Sequence, residues 1–331
     1  MLSRVAESIY WMGRYIERAE DITRLLAVNF NALLETHPDE ASQGWKPLIQ
    51  MSGDEDLFNS LYSETTAQTV SDFLLWHPQN PNAVVTCITH ARENARSVRE
   101  QISSEMWEQL NRLYFLVGHT NRPAVLSSPN QFFTQVRDGS QAFQGITSAT
   151  LTHNEPYQFL QLGLHLERAD KTARILDAKF LSIDQNQQSS ADTTLGLIAL
   201  LRSCSAFEPY RRTSRGVLNS QSVLEFLLLE HSFPRAVLYC INRGLHCLAQ
   251  IGTDPSSAVI RPDHPARTLG RLQADLEYLN VQELSHEKMD PFLNDLLDRL
   301  FGVGNDISRA YFSTRVILPE SRPQQHQQQQ Q

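Results

Sequence analysis

Two stretches of this sequence repeat one another in order, and that repetition limits the possible folds more than any other feature. Residues 10–30, YWMGRYIERAEDITRLLAVNF, align without gaps on 160–180, LQLGLHLERADKTARILDAKF, with seven identities. These include Gly13/Gly163, Glu17/Glu167, Arg18/Arg168, Ala19/Ala169 and Arg24/Arg174, while Glu20 faces Asp170. Downstream, FLLWHPQNPNAVVTCI (73–88) aligns on FLLLEHSFPRAVLYCI (226–241) with eight identities. Chance would give about one. The offsets, 150 and 153, are nearly constant. The pattern predicts a tandem duplication, with repeat one over 1–150 and repeat two over 151–318, packed as one pseudo-symmetric domain.

Proline placement and apolar spacing predict what each repeat is made of. The stretches 2–36, 82–118, 130–154, 157–182, 210–233, 266–290 and 292–318 contain no proline, and most have one near an edge. Within them apolar residues recur at three and four, as at Met12, Tyr15, Ala19, Ile22 and Leu26, the period of an amphipathic helix. Alternating β-branched runs bounded by turn residues are absent. The expectation is an all-α bundle of about ten helices. Residues 184–194, DQNQQSSADTT, read as a polar loop. Residues 319–331 form a Gln-rich tail whose composition cannot pack a core and predicts disorder.

A net charge of −8 argues against a general nucleic-acid surface. The N-terminal residues carry charge where a signal peptide needs its apolar stretch, and no apolar run approaches the length of a membrane span. A cytoplasmic protein is expected. The four cysteines, Cys87, Cys204, Cys240 and Cys247, lack metal or redox spacing and read as buried, reduced thiols.

At 100° per residue Gly13, Glu17, Glu20 and Arg24 share one helix face, as do Gly163, Glu167, Asp170 and Arg174. The second of these helices is apolar almost all round (Phe159, Leu160, Leu162, Leu164, Leu166, Ala169, Ala173, Ile175, Leu176), so its charged stripe should face the interior or a cleft. Glycine one turn before the glutamate permits close backbone approach. Buried carboxylates and guanidiniums are tolerated only when paired. Arg14, Arg18, Arg24, Arg168, Asp170 and Arg174 are therefore candidates for a polar, anion-binding network, with Glu17 and Glu167 as candidate catalytic carboxylates. Either the network is a structural ion-pair seam, or it lines a working cleft. Both readings require burial and pairing.

A second constellation lies in HARENARSVREQISSEMWEQLN (90–111), where Arg92, Arg96 and Arg99 fall at i, i+4 and i+7. Three aligned cations call for carboxylates or an anionic ligand opposite them, and Glu93 relieves part of this within the helix. The plainer account is arginine stems covering the edge of the core. The aligned positions of Arg92 and Arg96 in repeat two are Leu245 and Ala249, so the stripe belongs to one repeat only. PYRRTSRG (209–216) is a short basic cluster at a turn. Glu283 and His286 supply only one half of a di-iron helix motif, and no nucleotide-binding glycine loop or nucleophile set is present. No metal and no cofactor are expected.

The blocks YIERAEDITRLL, HLERADKTARIL, ARENARSVREQIS and EMWEQLN resemble the alpha-E family, helical proteins named for their Glu-Arg motif. The resemblance covers roughly 1–317. The motif positions it carries over are Glu17, Arg18, Glu167 and Arg168, with Arg92, Glu93, Asn94 and Arg96 from the second block. One departure is Pro209, inserted before the Tyr-Arg-Arg element at Tyr210, which puts helix geometry there in question. The resemblance implies a partner more than a reaction: a circularly permuted ATP-grasp protein, which activates a carboxylate and joins it to an amine. On that basis the chain is expected to be an accessory protein of a peptide-forming ligase system, with a peptide or amino acid as substrate. The alternative is an enzyme in its own right, an acyl or aminoacyl transferase with an arginine-lined anion site. There a buried glutamate with a raised pKa could serve as base, and an open pocket is expected into which the Glu-Arg pairs point with spare donors unpaired.

Overall fold

The computed structural model describes residues 1–33, 43–180, 190–214, 216–251, 264–284 and 286–313, and every regular element among them is helical. The first half holds α1 (Ser3–Leu33), α2 (Lys46–Ser52), α3 (Glu55–Leu61), α4 (Ala67–Trp76), α5 (Val84–Ser97), α6 (Ser104–Gly118), α7 (Arg122–Ser127) and α8 (Pro129–Thr150). The second holds α9 (Glu155–Ile175), α10 (Ser190–Ser203), α11 (Phe207–Thr213), α12 (Ser220–Leu229), α13 (Val237–Gln250), α14 (Pro265–Glu277) and α15 (His286–Ile307). Both α9 and α15 continue into a π-helical turn, Leu176–Phe180 and Ser308–Phe312.

These fifteen helices exceed the expected ten for local reasons. Four of them, α2, α3, α7 and α11, have only six or seven residues, too few to show a helical period. The proline-free span 82–118 also splits. Val98 leaves the helical region at φ −128° and ψ 34°, a single 3-10 turn follows, and the Ser103 hydroxyl caps the next helix by accepting from the Met106 amide at 3.1 Å. Pro291 falls inside α15 instead of separating two helices. Pro209 lies in the first turn of α11, where its missing N–H would have no helical partner anyway. Of the expected loop 184–194, residues 190–194 belong to α10; residues 184–189 and the tail 319–331 lie outside the described residues.

The packing is organised around α1 and α9. Helix α1 packs on α5 and α8, and α6 bridges those two; helix α9 packs on α13 and α15, with α14 bridging them. The buried apolar side chains of both halves form one continuous cluster. At its centre α1 and α9 lie against each other and run the same way, since the Met1 amino group meets Glu155 at one end and Arg18 meets Glu167 further along. They touch through their backbones. A Cβ on Gly13 would stand 2.4 Å from the Leu160 carbonyl oxygen, and one on Gly163 would stand 2.2 Å from that of Tyr10. The aligned residues thus meet reciprocally, each glycine under the other helix's residue three positions earlier.

Such spacing leaves no room for a methyl group, and overpacking of this kind costs about 1–3 kcal/mol. Gly13→Ala and Gly163→Ala should each lower unfolding free energy by about that amount in urea titrations. Gly145→Ala, in α8 with nothing within 4 Å of the new Cβ, should raise it by roughly 0.5–1 kcal/mol. Equal effects at the three sites would exclude the backbone contact.

Candidate functional site

The glycine contact brings the charged stripe of each helix against the other. Arg18 grips Glu167 with two bonds, Nε to Oε1 at 2.6 Å and Nη2 to Oε2 at 2.9 Å. Reciprocally, the Arg168 Nε lies 3.0 Å from Glu17 Oε1. Both glutamates are fully buried. An isolated carboxylate there would carry a prohibitive desolvation cost, so each depends on the guanidinium of the opposite helix. The Glu-Arg dipeptide works because neighbouring residues can place an acid on one interhelical pair and a base on its mirror.

Beyond this shared pair the two sides differ. Around Glu17 the network is denser, although Asp21 Oδ2 is left without a hydrogen-bond partner among the described residues. Arg235, entering from the turn before α13, donates from Nη1 to Glu17 at 2.5 Å and Asp21 at 2.9 Å, and from Nη2 to Glu20 at 2.7 Å. Arg24 bonds Glu20 at 3.0 Å and the Ser203 carbonyl at 2.8 Å, and also pairs with Asp21. From α8, Gln144 donates to both Glu17 and Glu20 while accepting from Arg168 at 2.7 Å. Three carboxylates, Glu17, Glu20 and Asp21, stand against three guanidiniums, Arg24, Arg168 and Arg235. The cluster is neutral.

Around Glu167 the balance is different. Its other partner is Arg14, whose Nε donates to Oε2 at 2.7 Å. Asp170 accepts from Arg174 at 3.0 Å. Arg18 also donates to Asn82, which in turn donates to Asp54. Lys171, nine-tenths buried, keeps its Nζ at 3.8 and 3.9 Å from Glu167 and Asp170. This side opens on a cleft of about 390 Å³ between α1, α9 and α15.

The electrostatics decide what these carboxylates do. Burial works against ionised Glu17, yet Arg168 and Arg235 bring its pKa down to about 2. Glu167, equally desolvated, is held below the usual carboxylate range by Arg18 and Arg14. Both are therefore charged and firmly paired at neutral pH, and neither has the raised pKa a general base requires. Burial, and after it Arg235, lowers the Arg24 guanidinium to about 10. Burial also lowers the Lys171 ammonium and pushes the Cys87 and Cys240 thiols up to about 12, which leaves them protonated. All four cysteines are free and buried.

The arginine stripe of 90–99 does not join the seam and is not one stripe. Helix α5 ends at Ser97 and Arg99 belongs to the following 3-10 turn. Arg92 bonds Asn111 and stacks over Tyr114, with its guanidinium 4.4 Å from the ring centroid; Arg99 lies over Trp107. Arg96 pairs with Glu93 and is exposed. The stems cover the core edge through aromatic contacts.

Sequence reasoning passed over Arg235, Asp21, Gln144, Asn82 and Lys171. Two of them had a signal. In the second aligned block Arg235 replaces Asn82 in an apolar segment, and in the first Lys171 replaces Asp21. Those two exchanges produce the asymmetry: where one side has Asp21 and Arg235, the other has Lys171 and Asn82. Gln144 reaches the seam from α8, and nothing in its local sequence marks it.

An all-helical fold built on paired Glu-Arg motifs matches one family description, a predicted alpha-helical domain with a conserved ER motif, over residues 1–312. The chain belongs to the Alpha-E family. Uncharacterized proteins of Mycobacterium tuberculosis and Mycobacterium bovis are each 23% identical over 340 residues. The alignments cover 96% of this chain and 37% of each relative, so the chain spans little more than a third of their length. No solved structure matches it. Among the described residues no helix is long and apolar enough to cross a membrane, and no group of three or more His, Cys, Asp and Glu side chains could hold a metal ion.

The depressed pKa of Glu17 has a direct consequence for stability. The unfolded chain takes up this proton near the ordinary value of 4.5, the folded chain only near 2. The contribution is therefore complete above pH 4.5 and lost as pH falls towards 2, a difference on the order of 3 kcal/mol. Urea titrations across this window should give a shallower pH slope for Glu17→Gln than for the natural protein, the two converging near pH 2. Parallel curves would show that the carboxylate is not held by its arginines.

Proposed function

We propose that this chain is a helical accessory protein of an ATP-grasp-type carboxylate–amine ligase system, working in the cytoplasm beside the enzyme that activates the carboxylate. The single observation that carries this reading is the state of the Glu-Arg motif: its glutamates are buried, ionised and consumed in cross-helix pairs, so the motif serves architecture and leaves no free base. The partner class comes from the resemblance to the alpha-E family. Support of a different kind comes from the relatives, which carry the matching region within chains nearly three times as long. That arrangement suits a domain that acts with other domains. The aligned sequence blocks and the recurring order of packing support an origin by duplication, with repeats over 1–150 and 151–318.

The competing enzyme reading loses its base, because Arg18 and Arg14 hold Glu167 low where a base would need the opposite shift. It keeps the open cleft on the Glu167 side, where Arg14 Nη2 and the terminal nitrogens of Arg174 have no acceptor among the described residues.

Tagged full-length protein, recovered from extract of its own cells without crosslinker, should bring down an ATPase whose ATP hydrolysis depends on an added amine. Folded Glu17→Gln/Glu167→Gln protein should lose that partner. Retention of the partner with loss of activity would move the seam into a shared active site. Turnover of a substrate by the isolated chain, with no partner recovered, would overturn the accessory reading.

A further inference from the structure

The cleft beside Glu167 has features that a structural seam does not require. Arg14, Arg18, Lys171 and Arg174 line it, against Glu7 and Asp170. Of the charged side chains that line it, four are cations and two are anions, with Glu167 behind the wall and Asp54 joined to Arg18 through Asn82. The excess is also poorly satisfied. Lys171 is 6% exposed, yet its Nζ makes no hydrogen bond among the described residues, its nearest carboxylate oxygens being 3.8 and 3.9 Å away. Arg174 uses Nε on Asp170, and its two terminal nitrogens have no hydrogen-bond acceptor among the described residues. Arg14 likewise spends Nε on Glu167 and Nη1 on the Tyr10 hydroxyl, leaving Nη2 uncommitted among them. Burial weakens the hold of the Lys171 ammonium on its proton, and an anionic acceptor brought into the cleft would favour its charged form.

The surrounding backbone keeps the space open. A Cβ on Gly304 of α15 would stand 3.8 Å from Arg14 Nη1, and one on Gly53, which sits at φ +79°, would stand 3.1 Å from Arg174 Nη1. The remaining wall sets Trp11, Leu300 and Phe312 beside the polar Asn305 and Ser308. A volume of about 390 Å³, cationic at one wall and partly apolar at another, falls in the range of small-molecule sites.

We propose that this cleft binds a small organic oxyanion, a carboxylate or phosphate, whose head group meets Lys171, Arg174 and Arg14 and whose apolar body lies against Trp11, Leu300 and Phe312. The site stands on this chain alone and does not depend on the proposed partnership. It arises from the exchanges already described: Lys171 stands where the aligned helix has Asp21, and Asn82 where the aligned block has Arg235.

The test uses the full chain, titrated separately with phenyl phosphate and with phenylacetate, and read by calorimetry and by the fluorescence of Trp11, with Trp11→Phe to assign the signal. Saturable binding of either probe is expected, and the tighter one identifies the head group. Lys171→Met, which removes a buried charge at nearly constant shape, should weaken binding about tenfold or more. Arg96→Met, on the exposed side of α5, should leave it unchanged. Should Lys171→Met fail to fold, Arg174→Gln at the cleft rim carries the same expectation. Failure of both probes to bind at millimolar concentration would overturn the proposal. So would binding in the folded Lys171 or Arg174 variants equal to that of the natural protein.

Discussion

The structure depends on backbone contact between α1 and α9, because only at that distance can the Glu-Arg motifs of the two helices reach across to each other. The glycines allow the contact and the motifs make use of it. Each buried carboxylate is answered by an arginine from the other helix, Glu167 by Arg18 and Glu17 by Arg168. Neither helix can bury its own glutamate unaided, so the two halves of the chain are tied by a polar requirement as well as by their shared apolar cluster. A purely apolar interface could slide by a turn at modest cost. One in which fully buried charges must meet named partners has a single register.

Around this shared element the two sides have taken different forms. On one, Arg235 completes a neutral cluster of three acids and three guanidiniums, and Gln144 seals it from α8. On the other, Arg14 takes up the glutamate, Asn82 stands at the position aligned with Arg235, and Lys171 remains short of hydrogen-bond acceptors. One motif thus serves as a locked brace on one side and as the back wall of a cleft on the other.

How much of this could be read in the sequence follows from the range of the interactions involved. Helical class and the burial of Glu17, Glu20, Arg24 and Glu167 follow from spacing within one helix and were legible, whereas Asp170 and Arg174 of the same stripe are only half-buried. The edge-covering stems of Arg92 and Arg99 were legible, but the single stripe with Arg96 was not, because it assumes a continuous helix, while Val98 and the Ser103 cap end one helix and start another. The short helices α2, α3, α7 and α11 lack the length for a period to show. Arg235 and Lys171 were visible only as mismatches between aligned blocks, where attention goes to identities. Yet the mismatches decide which side opens on a cleft. Gln144 belongs to a helix brought to the seam by tertiary packing alone.

The central claim is that Arg18 and Glu167 act as a coupled pair across the α1–α9 contact. A double-mutant cycle on unfolding free energy, with Arg18→Met, Glu167→Gln and the double variant, tests it most directly. The double variant should be less destabilised than the two single changes summed, by about 1.5–3 kcal/mol. Effects that add to within about 0.5 kcal/mol would contradict it, and would leave the seam a consequence of the fold instead of one of its determinants.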